Sequence, residues 1–259
     1  MVACWCESSV CFQPCCQQEG MTMMRVLVLS SAGKDSTLSL DWAMHKGWEV
    51  AAIVTVLAQP GSWMFQHPCV NVAKMHAGAL GIRWVPVETS DETDDLTDLE
   101  RVLGHEVAMA KDAGHPIGGL VSGAIASDYQ KVRIDRIGAR LCIPSFAPLW
   151  HHEPESHLRA VCNAGFDVRI VHTSADGLDA DWIGVKIDTE SVLRLQEIAL
   201  SHQIRIDGEG GEFETTVLNA PWMERAISLK GTPRSTSSVS TFDDTSATWS
   251  DDAKLDGSI

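Results

Sequence analysis

Arg25-Val26-Leu27-Val28-Leu29-Ser30-Ser31-Ala32-Gly33-Lys34-Asp35-Ser36 is the stretch on which the architecture turns. Four consecutive apolar residues, Val26 to Leu29, predict a short strand covered on both faces, as in a parallel sheet. Small residues follow, then a helical pattern over residues 36–46 with Gly47 at the C-cap position. Strand, small-residue loop and helix together aim backbone N–H groups and the positive end of a helix at an anion. Lys34 adds a charge for phosphate and Ser36 a hydroxyl. Asp35 would repel a bare anion, so its presence points to a Mg²⁺ ion between them. The Walker loop is not met, because Asp35 stands where Ser or Thr is required. An ordinary polar strand-to-helix turn is the plainer reading of these residues alone.

The same rhythm continues outward. Residues 48–57 (WEVAAIVTVL) read as a second strand, broken by Pro60-Gly61. Helices are expected over residues 70–80, 96–113 and 129–141, and strands over 82–87, 117–125 and 143–149. This alternation, at crossover lengths, predicts an α/β fold: a parallel five-stranded sheet with helices on both faces. After Trp150 the pattern changes. A helix near residues 155–164, a strand at 167–172, a helix near 189–201 and a strand at 213–218 suggest a smaller α+β domain. Residues 231–259 hold 12 Ser or Thr and five Asp, with only Arg234 and Lys254 as bases, and are expected to form a disordered tail.

The 259 residues carry 35 Asp or Glu against 20 Lys or Arg, a net charge of −15, and are 44% hydrophobic. That apolar share supports a core and excludes a largely disordered chain. Acidity argues against a protein that coats nucleic acid, which needs a basic face, so no direct nucleic-acid binding is expected. No apolar run reaches the ~18–20 residues that span a bilayer. Residues 1–20 lack Lys, Arg and an apolar stretch and do not read as a signal peptide, so a cytoplasmic location is expected. Cys4, Cys6, Cys11, Cys15 and Cys16 crowd the first sixteen residues, while Cys69, Cys142 and Cys162 are scattered, which is no disulfide framework. The N-terminal group can be read as a zinc site, although its spacing matches no standard ligand pair. The simpler expectation is that residues 1–20 are disordered or precede a start at Met21, Met23 or Met24.

Two further strings carry chemistry. Gly208-Glu209-Gly210-Gly211-Glu212-Phe213-Glu214-Thr215 places three carboxylates in a glycine-rich turn, able to hold Mg²⁺, an amine or another cation. Gly123-Ala124-Ile125-Ala126-Ser127-Asp128-Tyr129-Gln130-Lys131-Val132-Arg133 falls at the end of the fourth expected strand, where open parallel sheets bind ligands. A solvated acidic turn and a plain helix start are the alternatives.

With residues 31–36, these strings resemble the diphthine–ammonia ligase (diphthamide synthase) family, a branch of the PP-loop (N-type) ATP pyrophosphatases. The family loop S-G-G-K-D-S appears here as SAGKDS, with Ala32 departing at its second position. G-E-G-G-E-[FY]-E-T is intact at residues 208–215, and G-x-I-x-S-x-Y-Q-x-x-R at residues 123–133. Phe146 to Trp150 and Gly177-Leu178-Asp179 with Trp182-Ile183-Gly184 are similar too. Met64-Phe65 is followed by Gln66 before His67, where the family often shows Met-Phe-His.

The resemblance implies an ATP-binding PP-loop domain over residues 21–149 and an acceptor-side domain over 150–230. It implies ATP cleavage to AMP and pyrophosphate with Mg²⁺, and amidation by ammonium of diphthine on elongation factor 2 through an acyl-adenylate. Asp35, Lys34, Glu212 and Glu214 would be catalytic, with Asp35 the metal ligand. Ser31, Ala32, Gly33, Ser36, Gly123 and Ser127 would join Lys34 and Asp35 in holding ATP. Tyr129, Gln130, Arg133, Trp150, Gly208, Glu209, Gly210, Gly211 and Thr215 would bind the acceptor. Trp150, Trp182 or Trp222 could face the quaternary ammonium of diphthine, against core packing as the alternative. Homodimerisation is left open. Rival readings are a tRNA-modifying or small-molecule-amidating PP-loop enzyme, a nucleotide-binding protein without catalysis, and a zinc-dependent interaction protein.

Overall fold

Arg25 to Leu29 form β1 (Arg25–Leu29), and one sheet is organised around it. β1 pairs in parallel with β2 (Glu49–Leu57) on one side. On the other it pairs with β4 (Gly119–Val121), again in parallel. β3 (Arg83–Glu88) and β5 (Ser145–Phe146) complete the all-parallel order β3-β2-β1-β4-β5. The computed structural model describes residues 23–57, 71–89, 94–236 and 239–253. Side chains alternate across β1. Leu27 and Leu29 pack with α3 (Asp95–Asp112) and α4 (Asp128–Arg140). Val26 and Val28 face α1 (Lys34–His45) and α2 (Asn71–Ala79). Both faces are covered, which is why the strand reads as an unbroken apolar run.

The second half is an antiparallel sheet of order β7-β6-β9-β8. It comprises β6 (Asp167–Thr173), β7 (Phe213–Asn219), β8 (Arg225–Ser235) and β9 (Ser240–Ala253). Helices α5 (Pro154–Asn163) and α6 (Thr189–His202) accompany it. Ala32, Val72 and Ala73 from the first half share one buried cluster with Ile170, Phe213 and Val217 from the second. The two halves are therefore built on a common core.

The expected tail needs correction. Residues 231–235 and 240–253 belong to the β8–β9 hairpin, and β9 also pairs with β6. Ile227 and Leu229 on β8, with Phe242, Ala247 and Trp249 on β9, pack against the shared core. Spaced apolar residues give the hairpin a buried face, and Thr tolerates a pleated surface well, so composition alone misjudged it. Deleting residues 231–259 should cost about 2 kcal/mol or more of burial, lowering the melting temperature by roughly 5 °C. An unchanged melting curve would show that the hairpin contributes nothing.

The fourth and fifth strands are also shorter than the expected 117–125 and 143–149, because the chain leaves the ladder to form loops. The N-terminal cysteines, His67 and Cys69 lie outside the described residues. Among the described residues no helix is long and apolar enough to cross a membrane.

Candidate active site

β2 lies on one side of β1 and β4 on the other, so the loops after β1 and β4 diverge. A cleft of about 420 Å³ opens there, within the size range of small-molecule sites. Ser31, Gly33, Asp35 and Ser36 form one wall, with Gly123, Ser127 and Gln130 beside them. The facing wall is the turn at Gly208, Glu209, Gly210 and Gly211, continued by Phe213 and Glu214.

The loop is held from both halves of the protein. Ser30 Oγ accepts the Ala32 N–H at 3.1 Å and donates to Ser36 Oγ at 3.2 Å. Thr55 Oγ1 donates to the Ser30 carbonyl at 2.8 Å. From β7, Thr215 Oγ1 accepts the Lys34 N–H at 3.1 Å, and the Val217 N–H donates to the Ala32 carbonyl at 2.8 Å. Ala32 sits at φ 64°, the left-handed region, at a cost of order 1 kcal/mol for a side chain. A glycine, usual at that point of the loop, would avoid this cost. Gly123 is needed for a different reason. A Cβ there would lie 2.7 Å from the Ser36 nitrogen, so glycine lets the β4 loop touch the first turn of α1.

A charged cluster lies under the loop. Lys34 is only 3% exposed and is not part of the cleft wall. Its ammonium donates to Asp35 Oδ2 at 2.7 Å and lies 3.9 Å from Glu209. Burial works against this ammonium, but the Asp35 and Glu209 charges outweigh it and hold Lys34 above the ordinary lysine value. Asp35 is likewise opposed by burial, yet the Lys34 charge and a hydrogen bond from His157 keep it ionised below the usual range. Glu209 is pushed up to about 7 by burial and by the Asp35 charge. Burial also lifts Glu214 to about 7.

The expected site residues divide into those on the cleft and those behind it. The charge of Lys34 joins carboxylates from the two walls. Thr215 braces the loop from behind. Glu212 is spent on its own turn, accepting the Arg205 N–H at 2.9 Å and the Gly210 N–H at 2.8 Å. Ser127 caps α4 by accepting the Gln130 N–H, which sets Gln130 at the cleft. Tyr129 is 50% exposed, with the Arg133 guanidinium 3.3 Å from its ring centroid, and neither lines the cleft. Trp150 packs beside His151 and under the Lys131 ammonium. Trp182 is buried and covered by Arg194, and Trp222 meets His76 edge-on. None of these three tryptophans is among the described residues that line the cleft.

Two histidines were not anticipated. His157 on α5 is fully buried and sets Nε2 2.6 Å from Asp35 Oδ1. An ionised carboxylate only accepts, so Nε2 carries the hydrogen. His76 on α2 is held neutral by burial, its value lowered to about 4, and Nε2 donates to the Val217 carbonyl at 2.8 Å. It braces the strand that braces the loop. A lone histidine on an amphipathic helix carries no sequence signal for either role.

The family models for the diphthamide synthase N-terminal domain and C-terminal domain match residues 24–145 and 153–246. The diphthine–ammonia ligase of Danio rerio is 28% identical over 228 residues, covering 81% of this chain and 88% of that protein. Its Bos taurus counterpart is 28% identical over 240 residues, covering 85% and 88%. The Homo sapiens protein is 28% identical over 225 residues, covering 79% and 82%. With both domain models matched in order across a cleft that each helps to build, the chain belongs to the diphthamide synthase family.

Proposed function

We propose that this protein is an ATP-dependent carbon–nitrogen ligase that amidates diphthine on elongation factor 2 with ammonium, yielding diphthamide, AMP and pyrophosphate. The observation that carries this reading is one cleft with the 31–36 loop on one wall and the carboxylate turn of residues 208–214 on the other. Leu29, Val54, Val56 and Ile134 give that cleft an apolar side suited to adenine. The loop, opening into α1, suits the triphosphate.

Mg²⁺ fits if ATP brings it. Among the described residues no group of three or more His, Cys, Asp or Glu could hold a metal unaided. Mg²⁺ commonly takes one or two carboxylates and completes its shell with substrate phosphates and water. Asp35 would be the protein ligand, because each of its oxygens keeps a lone pair beyond its bond to Lys34 or His157. When bound, the ion would offset charge on the departing pyrophosphate.

In the first step the diphthine carboxylate oxygen attacks the α-phosphorus. The bond to the α,β-bridging oxygen breaks, and pyrophosphate leaves with that electron pair. Ser31, Gly33 and Ser36 hold the leaving phosphates while Lys34 and His157 keep Asp35 fixed. Ammonia then displaces AMP from the acyl-adenylate. The protein supplies positioning and charge, and no protein nucleophile is needed. Acidity of the chain weighs against a tRNA acceptor, and the acceptor factor places the reaction in the cytoplasm. The decisive experiment incubates the protein with ATP, Mg²⁺, ammonium and diphthine-bearing elongation factor 2. AMP should accumulate in proportion to amidated peptide, read by mass. Absence of both products would refute the proposal.

A further inference from the structure

The three carboxylates of the 208–214 turn have different partners, and the difference sorts their roles. Glu212 gives its oxygens to the backbone N–H groups of Arg205 and Gly210. Glu209 is a counter-charge to buried Lys34. Glu214 does neither. It forms part of the cleft wall, and its Oε2 is buried without a hydrogen-bond partner. A buried acceptor left bare costs about 1–3 kcal/mol, and such groups call for an explanation such as a ligand or a catalytic role. The side chain is also well placed for precision. It lies between buried Phe213 and Thr215 on β7, which pairs with β6.

The missing partner has to donate hydrogen bonds and favour a negative charge. A quaternary ammonium has no N–H and cannot complete a bare oxygen. Ammonium is the size of a water molecule and brings four N–H donors. We propose that Glu214 is the ammonium site of the cleft and the base that takes the first proton from it. This assignment rests on the amidation reading above. The carboxylate accepts one proton from NH₄⁺, leaving NH₃ with a free lone pair. That nitrogen attacks the acyl carbon of the adenylate, forming the C–N bond. The C–O bond to the phosphate breaks, and AMP departs with the electron pair. The second proton passes from the new amide nitrogen to AMP or water. Burial places the Glu214 carboxyl at about 7, suited to exchanging protons with an amine at neutral pH.

Hydroxylamine provides the test, because it is already neutral at pH 7 and needs no base to become a nucleophile. Glu214→Gln should lower kcat/KM for ammonium about 100-fold, the usual scale for loss of a general base. With hydroxylamine the same variant should form hydroxamate within roughly tenfold of wild type. Equal losses with both nucleophiles would overturn the assignment and place Glu214 at the acceptor. Unchanged ammonium use would overturn it as well. ATP–pyrophosphate exchange is measured alongside, and a parallel loss of exchange would move Glu214 to the adenylation step. If the Gln variant does not fold, Glu214→Asp withdraws the carboxylate by one methylene. That variant should raise KM for ammonium while sparing hydroxylamine, and a uniform loss would again overturn the assignment. A wild-type protein that made no AMP with the acceptor present would overturn the amidation reading and this one together. A working wild type with an indifferent Glu214→Gln would overturn this one alone.

Discussion

Asp35→Asn should reduce pyrophosphate release about a thousandfold and also weaken the fold. The rate falls because the charge facing the leaving phosphates is gone, a class of change that costs 10²–10³ or more. The fold suffers because Lys34 stays buried after losing its 2.7 Å partner, with Glu209 at 3.9 Å and the charge of Asp207 left to offset it. Breaking one side of a buried ion pair costs about 3–5 kcal/mol, a large part of an ordinary domain's stability. The two effects can be separated. Adding Lys34→Met to Asp35→Asn removes the stranded cation and should recover most of the melting temperature without recovering turnover. His157 keeps an acceptor in the Asn variant, since Asn Oδ1 can still receive its N–H. Near-normal pyrophosphate release by Asp35→Asn, measured where the variant is folded, would remove Asp35 from the reaction.

That double variant also bears on how the site is divided. The sequence suggests an ATP domain and a separate acceptor domain. The structure instead hangs the 31–36 loop on both halves, through Thr215, Val217, His157 and Glu209. Damage to the second half should therefore reach ATP chemistry as well as the acceptor.

What was legible in the sequence follows from how far each signal extends along the chain. Val26 to Leu29 announce a doubly covered strand because burial on both faces leaves no polar position. The 31–36 loop and the 208–215 turn are local strings whose spacing carries meaning by itself, and the cleft brings both together. The β8–β9 hairpin was hidden because its apolar residues are sparse among Ser, Thr and Asp, so composition spoke louder than pattern. His157 was hidden for another reason. On α5 it reads as one more inward position beside Leu158 and Val161, and only the packing of α5 against the loop gives it Asp35 as a partner. Glu212 shows what a string does not tell: its place reads as a catalytic carboxylate, and only the structure shows its oxygens closing the turn that presents Glu209 and Glu214.

The ligand-free protein should show the cost of keeping Glu214 ready. Its ordinary value is 4.5, and burial lifts it to about 7 in the folded chain. Between those values the folded state holds a proton that the unfolded state has released. Stability from this group is therefore complete below about 4.5 and is lost as pH rises through about 7. At 1.36 kcal/mol per unit, and with allowance for partial exposure to the cleft, the loss by pH 8 is about 2–3 kcal/mol. Glu209 has the same sign. Buried His76 runs the other way, because its value falls from 6.5 to about 4, so its contribution grows as pH rises toward 6.5. The raw stability curve is thus blunted, and the difference between wild type and Glu214→Gln is the quantity to measure. That difference should move in favour of the variant between pH 5 and pH 8, opening a gap of roughly 5–10 °C in melting temperature. Saturating ammonium at pH 8 should narrow the gap by stabilising only the wild type. A gap that stays constant with pH would mean that the Glu214 carboxyl keeps its ordinary value in the fold, and a gap that still widens beyond pH 8 would mean that it stays protonated and could not serve as the base.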